Sequence, residues 1–473
     1  MIEFQLPWLQ LAILVPALGA AWVARSPTSD STHRRAVWVS GVTLLLTLAG
    51  GLDYARMESF EVHEYRDLTR QLFCWDGLVV DALSAPLLPL AAVVYWVTIL
   101  ATPREKAQRF TFPGALLGES IALATLSCRE PIIVASLLAL GALLPWFELR
   151  ARHDLGRLYL GHVAVFVALL AVGCALLGFT TVHPSVAWVG VVLLTIACLF
   201  RAGVPPFHSW VVALFGRITF GSALLFVAPM LGAYGVMRLC VPLAPDWLLQ
   251  AIVVLSLAGA FYAAGLALVQ KDARSFFASL ALSQSSVVLV GLSIGTPVAI
   301  AGALIVWLSA AISLTGLGLV VRGVEARVGR FSIDRFLGLY QEVPTLAALF
   351  VVTGLALVGF PGTIGFVGIE LLIEGSVTAY PVVGLVLVLI SVLNGIAVLR
   401  AYFRAFTGTK REATPLLRIR RRERIAVVLL TGLIIGGGLF PQFGVLSRYR
   451  AAVELERGVD EDGSAARSVG PVE

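Results

Sequence analysis

Lysine is nearly missing from this chain. Lys106, Lys271 and Lys410 are its only examples in 473 residues, and none falls inside a hydrophobic run. Charge of either sign is scarce: Asp, Glu, Lys and Arg make up 14% of the chain, against about 25% in a soluble domain. With 58% hydrophobic residues and a mean hydropathy of +0.90, that shortage excludes a soluble globular protein and indicates a polytopic membrane protein. Cysteine is sparse and scattered (Cys74, Cys128, Cys174, Cys198, Cys240), with no CxxC spacing. Neither a metal site nor a disulfide framework follows, and the cysteines read as small hydrophobes. No Gly-rich fingerprint or cysteine set for a nicotinamide, flavin or iron–sulfur cluster is present, so the chain is expected to bind no cofactor. The net charge of +6 lies in short loops between apolar runs, which is not the footprint of a nucleic-acid partner.

What is there is a succession of apolar runs. The first follows Met1-Ile2-Glu3 without a basic leader or small-residue cleavage site, and reads as a retained membrane helix. Hydropathy gives about fourteen spans, with ends uncertain by a few residues. They lie near 7–24, 36–52, 77–102, 111–128, 131–149, 158–182, 187–217, 222–242, 248–269, 275–294, 297–321, 343–375, 379–403 and 425–446. The expected fold is all-α, a single integral membrane domain over 1–473. Arginine collects on alternate connections, for example Arg150 to Arg157 and Arg404 to Arg424, whereas 53–76 is acidic. The positive-inside rule then places both termini outside.

Two runs are too long for one straight helix, which needs about 20 residues to cross a bilayer. In 187–217, Arg201, Gly203 and Pro205-Pro206 interrupt the apolar sequence, and His208 and Trp210 follow. In 343–375 the interruption is Pro361-Gly362, with Glu370 and Glu374 beyond it. Both read as broken spans. They are five spans apart and so of opposite sense, which makes spans 4–8 (about 111–242) and 9–13 (about 248–403) candidate inverted five-helix repeats. Paired interruptions at matching positions of two halves mark a transport site. An arginine at such a break is a functional-site hypothesis by default.

Three charged segments complete the chain. Glu325 to Glu342 alternates Arg327, Arg330 and Arg335 with Val328, Phe331 and Phe336, the pattern of a surface helix. Arg418 to Arg424 is a cationic patch expected to anchor the last span and touch anionic lipid. The tail, 451–473, is acidic, rich in small residues and expected to be disordered.

Four stretches resemble one known family. FRAGVPPFHSW (200–210) is similar to the K-x-x-x-x-P-[FL]-H-x-W signature of the antiporter-like membrane subunits of respiratory complex I, membrane-bound hydrogenases and Mrp sodium/proton antiporters. LGAYGVMRL (231–239) resembles that family's GGYGLLR, QKDARSFFASLALSQ (270–284) its Q-x-D-[IL]-K segment, and GFPGTIGFVGIELL (359–372) its G-[LIF]-P-G-x-x-G-F-V-G-E. The resemblance covers about 110–410 in order. It implies fourteen helices with the seventh and twelfth broken, and a buried relay of lysines, glutamates and histidines that carries protons.

The relay positions differ here. The family's lysines fall on Arg201, Met230 and Arg274, and its FVGE glutamate falls on Ile369, one residue before Glu370. The fifth-span glutamate lands near Ala139, with Glu148 two to three turns later. Lysine gives up its proton when desolvated, whereas arginine keeps it under any accessible condition. Arg201 is therefore a fixed charge or an ion-pair partner, with Glu119 or Glu148 as candidate partners, or an element that tunes a carboxylate or holds an anion.

His208 is either a proton shuttle or a hydrogen-bonding group at the break. Glu370 and Glu374 share a helix face; Glu370 is the candidate proton acceptor, and Glu374 is either buried with it or solvated. Glu119, on the fourth span, is a carboxylate candidate or a contact to a neighbouring subunit. Arg274 belongs with Lys271 and Asp272 to a loop cap at a span end, or to the relay.

The resemblance implies a proton-translocating membrane subunit of NADH-quinone oxidoreductase type in a cell inner membrane, with other membrane and peripheral subunits as partners and protons or another monovalent ion as cargo. Any redox chemistry would then reside in those partners. The alternatives are the membrane half of an inorganic-carbon uptake system with a soluble zinc partner, and a non-conducting scaffold.

Overall fold

The computed structural model describes residues 4, 6–57, 59, 61–64, 77–103, 109–152, 156–178, 184–408 and 421–467. Nearly all of this is helix. Apolar side chains all round each segment leave the backbone only intrahelical partners inside a bilayer. The first helices are α1 (Trp8–Ala24), α2 (Ser29–Met57), α3 (Ser84–Leu100), α4 (Phe112–Leu126), α5 (Pro131–Ala151) and α6 (Arg157–Leu177). They are followed by α7 (Pro184–Ala202), α8 (Ser209–Arg217), α9 (Phe220–Val227) and α10 (Leu231–Gly235), the last continuing through a π turn, Val236–Cys240. Then come α11 (Asp246–Val269), α12 (Ala273–Ile294), α13 (Pro297–Val328), α14 (Pro344–Leu357), α15 (Ile364–Ala379), α16 (Pro381–Phe406), α17 (Arg421–Leu439) and α18 (Gln442–Arg467). A two-stranded antiparallel ribbon pairs β1 (Glu61–His63) with β2 (Val79–Asp81), in the register Glu61 to Asp81. Eight of the described helical stretches are long and apolar enough to cross a membrane, so the chain is a multi-pass membrane protein.

The centre of the bundle is α12 and α13. Almost every side chain of both is buried, small and hydroxyl residues included. α13 has 32 residues, about 48 Å at 1.5 Å per residue, and it touches α3, α9, α12, α14, α15, α17 and α18. The outward faces of α2, α6, α11 and α16 carry large exposed apolar groups such as Trp38, Val165, Val254 and Leu385, as a lipid-facing surface requires.

Both long runs are interrupted as expected, and each interruption is closed by the same local bonding. After α7 the N–H of Val204 bonds to the carbonyl of Leu199 across Gly203 at φ +74°. After α14 the N–H of Phe360 bonds to the carbonyl of Leu355 across Gly359 at φ +81°. In each case a left-handed glycine lets the next N–H reach back five residues and satisfy a carbonyl at the helix end. Indole Nε1 of Trp210 takes a further carbonyl, that of Phe200, at 3.1 Å.

Two stretches differ from the sequence reading. No surface helix forms over 325–342. Instead α13 runs on to Val328 and stops at Gly329, φ +78°. Ile333 and Ser332 then bond to the carbonyl of Lys271, which ties the irregular segment to the start of α12. The hydropathy pattern broke at Arg322 because the charges there pair inside the protein, which a hydropathy window cannot register. At the C-terminal end, the backbone is helical from Gln442 to Arg467, through most of the segment expected to lack order. There Ala451 and Ala452 are buried, and Arg448 donates 2.6 Å to the carbonyl of Ala82.

Candidate functional site

One polar part of the interior lies where α2, α3, α4, α5 and α9 converge. Glu119, on α4, is fully buried. Its Oε1 accepts a 2.9 Å bond from Ser40 of α2, and its Oε2 has no partner among the described residues. Tyr95, on α3, lies within electrostatic reach of both Glu119 and Arg201. Beside it is a cavity of 60 Å³, lined among others by Tyr95, Thr111, Gly118, Glu148, Ser222 and Phe226. A water needs about 10–15 Å³ of such space, so the cavity has room for a few waters. It runs from Gly118, next to Glu119, to the carboxylate of Glu148.

Glu148 is at the far end of α5. The backbone N–H of Thr219, cap of α9, donates to Oε1 at 2.9 Å, and Arg152 lies 3.1 Å away and half-exposed. The carboxylate thus joins the internal cavity to the protein surface.

Arg201 ends α7 and is 7% exposed. Its guanidinium lies 3.9 Å from the centroid of Phe226 and donates 3.3 Å to that residue's carbonyl; Nε has no partner among the described residues. A desolvated ring face contributes about 2 kcal/mol and a bond from a charged donor about 1.5–3 kcal/mol. Burial costs several kcal/mol per ion, a cost of the same order as what ring and carbonyl together supply. Neither Glu119 nor Glu148 is its ion-pair partner, and among the described residues no carboxylate oxygen lies within 4.0 Å of it. Phe226 also closes the Glu148 cavity, and on its other side is a narrower cleft lined by Arg201, Tyr159, His162 and Trp210.

The remaining sequence-selected residues lie elsewhere. His208 is at the start of α8, its ring 5.3 Å from that of Tyr262; Tyr262 is on the exposed face of α11. Arg274 is buried and makes a two-point pair with Glu325, Nε to Oε1 2.6 Å and Nη2 to Oε2 2.8 Å, while Nη1 reaches the carbonyl of Phe215 at 2.7 Å. Asp272 caps α12 by accepting from the N–H groups of Arg274 and Ser275.

Glu370 and Glu374 are both exposed on α15, and neither has an ion-pair partner among the described residues. Arg201 and Glu370 therefore do not meet. Ile369 occupies the inward position, lining a second cavity with Gln284, Ser309 and Ser391. Glu370 is one residue on, about 100° round the helix, and points out.

Sequence reasoning missed several buried charges. Arg322 is 3% exposed, donates 3.3 Å to the carbonyl of Thr98 and lies within reach of Glu423, Glu325 and Glu148. Arg327 meets Glu423 at 2.6 Å. At the other end of the bundle Arg238 pairs with Asp81 at 2.6 Å and bonds to Tyr234. His162, beside Arg201, had no flag. The spacing of Arg322 and Glu325, three apart at the end of an apolar run, was the one available signal.

Residues 159–394 match the family described as NADH:quinone oxidoreductase/Mrp antiporter, TM. That segment, about half of the chain, resembles the antiporter-like membrane domains of that family. The NADH-quinone oxidoreductase subunit M of Pseudomonas aeruginosa is 28% identical over 276 residues, 56% of this chain and 53% of that protein. The matched region thus spans about half the length of that relative. A chain of respiratory complex I from Thermus thermophilus superposes with a TM-score of 0.80 at 22% identity, covering 95% of this chain and 99% of that one. A chain of the Mrp complex from a Dietzia species gives 0.83 at 18%, covering 95% and 98%. These likenesses establish the fold, and the family match bears out the resemblance read from the four motifs. Within the antiporter-like domain, the positions of Arg201, Met230 and Ile369 are filled by a buried fixed cation, a buried thioether and a half-buried aliphatic group.

Proposed function

We propose that this chain is a proton-translocating, antiporter-like membrane subunit of a larger respiratory complex of NADH-quinone oxidoreductase type. It has fourteen spans, with both termini outside a cell inner membrane. Spans 4–8 and 9–13 are inverted five-helix repeats. The matched bonding at the two breaks, Val204 to Leu199 and Phe360 to Leu355, supports that pairing.

The observation that carries the reading is the cavity lined by Glu148 and Tyr95, which reaches Gly118, the residue before Glu119. A proton taken up at Glu148, beside Arg152, passes through the cavity to Tyr95 and Glu119. Arg201, held against Phe226, keeps its charge and sets the potential felt by the carboxyl groups instead of carrying the proton. Glu370 and Glu374 lie on the outer face of α15, where a charge against acyl chains is costly; a neighbouring subunit with cationic groups covers that face.

One observation favours a second reading, a non-conducting scaffold: the cavity at the second break has only neutral polar lining groups, Gln284, Ser309 and Ser391. Proton uptake by proteoliposomes containing the whole complex separates the two. Loss of uptake in both Glu119→Gln and Glu148→Gln supports translocation through this chain, and unchanged uptake in both leaves the scaffold.

A further inference from the structure

We infer that the groove over α3, between α2 and α17, is a binding site for one anionic phospholipid, its head held by Arg34 and Arg422 and an acyl chain laid along α3. The neighbours of α3 follow one another round it as α2, α4, α9, α13 and α17, each packed against the next. Among the described residues that ring is open at one place, between α17 and α2. Toward the end of α3 the side chains that stay partly exposed are Pro89, Val93, Trp96 and Leu100. They recur every three or four positions and so form one stripe. The stripe is the floor of the opening, because the other sides of α3 are covered. From Pro89 to Leu100 it is about 16 Å long at 1.5 Å per residue, close to one leaflet of a hydrocarbon core about 30 Å thick.

Both walls are apolar below and cationic at the same end. On α2 one exposed face carries Arg34, Trp38, Leu45, Leu48 and Leu52. Gly41 shares that face, and a Cβ there would fall 3.2 Å from Nε1 of Trp96, which sets the face beside the floor. On α17, Arg422 is followed on its own face by Ile425, Leu429 and Leu433, none of them buried. Nη1 of Arg422 lies 3.3 Å from Nδ1 of His33, whose Nε2 is 3.0 Å from the carbonyl of Ile99. That bridge holds the cationic ends of both walls level with the end of α3. Trp38 and Trp96 sit about one turn deeper, the level at which tryptophan collects in a bilayer. Of the other charges nearby, Arg35 is turned to the ring of Trp22, at 4.8 Å, and Glu423 to Arg327, at 2.6 Å. Arg34, Arg421 and Arg422 are left exposed, against one exposed acid, Asp30. An apolar groove that ends in an excess of cations matches an anionic phospholipid in both its parts. The expected lipid contact of Arg418 to Arg424 thereby becomes a single site shared with α2 and α3.

The test uses the purified full chain in detergent, incubated with equal amounts of phosphatidylglycerol and phosphatidylcholine of the same acyl chains. Native mass spectrometry then counts the lipid of each kind retained. One phosphatidylglycerol per chain, held in preference to phosphatidylcholine, is expected. Arg34→Gln with Arg422→Gln removes two cations from the head site and should weaken retention of phosphatidylglycerol roughly thirtyfold. Val93→Trp keeps both arginines and fills the floor, and should also lose the lipid. If the double variant does not fold, Arg34→Gln alone, an exposed change, decides, with a loss of about fivefold expected. Equal retention of the two lipids by the parent chain overturns the inference and leaves the groove to a helix of a neighbouring subunit. Retention of phosphatidylglycerol that is unchanged in Arg34→Gln or in Val93→Trp overturns it as well.

Discussion

Arg274 and Glu325 face each other in a buried, two-point ion pair, with Nε–Oε1 at 2.6 Å and Nη2–Oε2 at 2.8 Å. The planar guanidinium fork matches the carboxylate, and its remaining donors reach the carbonyls of Phe215 and Ile218 near the end of α8. One pair thus ties the start of α12 to the end of α13 and to the segment after the first break. Breaking such a pair leaves a charge buried, which costs about 3–5 kcal/mol, whereas replacing both partners with apolar groups is often neutral. Glu325→Gln should therefore lower the unfolding midpoint in detergent sharply, and Arg274→Met with Glu325→Met should recover most of the loss. Arg274→Lys should recover little, because a lysine cannot supply the fork.

Glu119 and Glu148 differ in what holds them, and this predicts different responses. Glu148 accepts from a backbone N–H and from Arg152 near the surface, while among the described residues Glu119 has Ser40 alone. Removing either titratable group should cut proton uptake by the complex at least about tenfold, since each must both accept and release the proton. Ser40→Ala leaves the carboxyl in place and should reduce uptake less than Glu119→Gln. Equal loss in the two would mean that Glu119 acts only as an acceptor for Ser40.

The broken spans were legible in the sequence because glycine, proline and arginine together inside an apolar run are incompatible with one straight helix across lipid. Glu119 and Arg201 also stood out, since the charge of each is isolated in hydrophobic surroundings, and Glu148 did so as a carboxylate beside a basic connection. Glu370 was misplaced, because hydropathy gives no azimuth. Only the neighbour Ile369, on the second cavity, shows which way that part of α15 turns. Arg322, Glu325 and Glu423 were hidden for the opposite reason: consecutive charges read as a loop, and their burial comes from partners distant in the chain, such as Arg274 and Arg327.

The crossing that positions Arg201 depends on one glycine. A Cβ at Gly232, on α10, would fall 2.5 Å from the backbone nitrogen of Ala202 and 2.7 Å from its Cα. Backbone cannot swing away as a side chain can, so Gly232→Ala must displace the end of α7 or α10. A cost of about 1–3 kcal/mol is expected, as for overpacking elsewhere, together with strain on the bond from Ser285 to the Ala202 carbonyl, 3.1 Å. Gly265, within α11, has nothing within 4 Å of the corresponding position. There alanine should stabilise by about 0.5–1 kcal/mol through helix propensity. Thermal unfolding of the two variants side by side checks the contrast.

Glu370 and Glu374, four apart on the outer face of α15, test whether that face is covered by another subunit. Against lipid, two carboxylates would be expensive, and glutamine at both positions would be an improvement. Against a cationic partner the order reverses: glutamine removes the attraction, and lysine puts like charges across the contact. Co-purification of partner subunits with the tagged chain is the measurement. Parent, then Glu370→Gln with Glu374→Gln, then Glu370→Lys with Glu374→Lys should retain progressively less partner, while the amount of chain in the membrane stays level. If partner yield is the same in all three, the charges face headgroups or water, and the neighbouring subunit must sit on another side of the bundle.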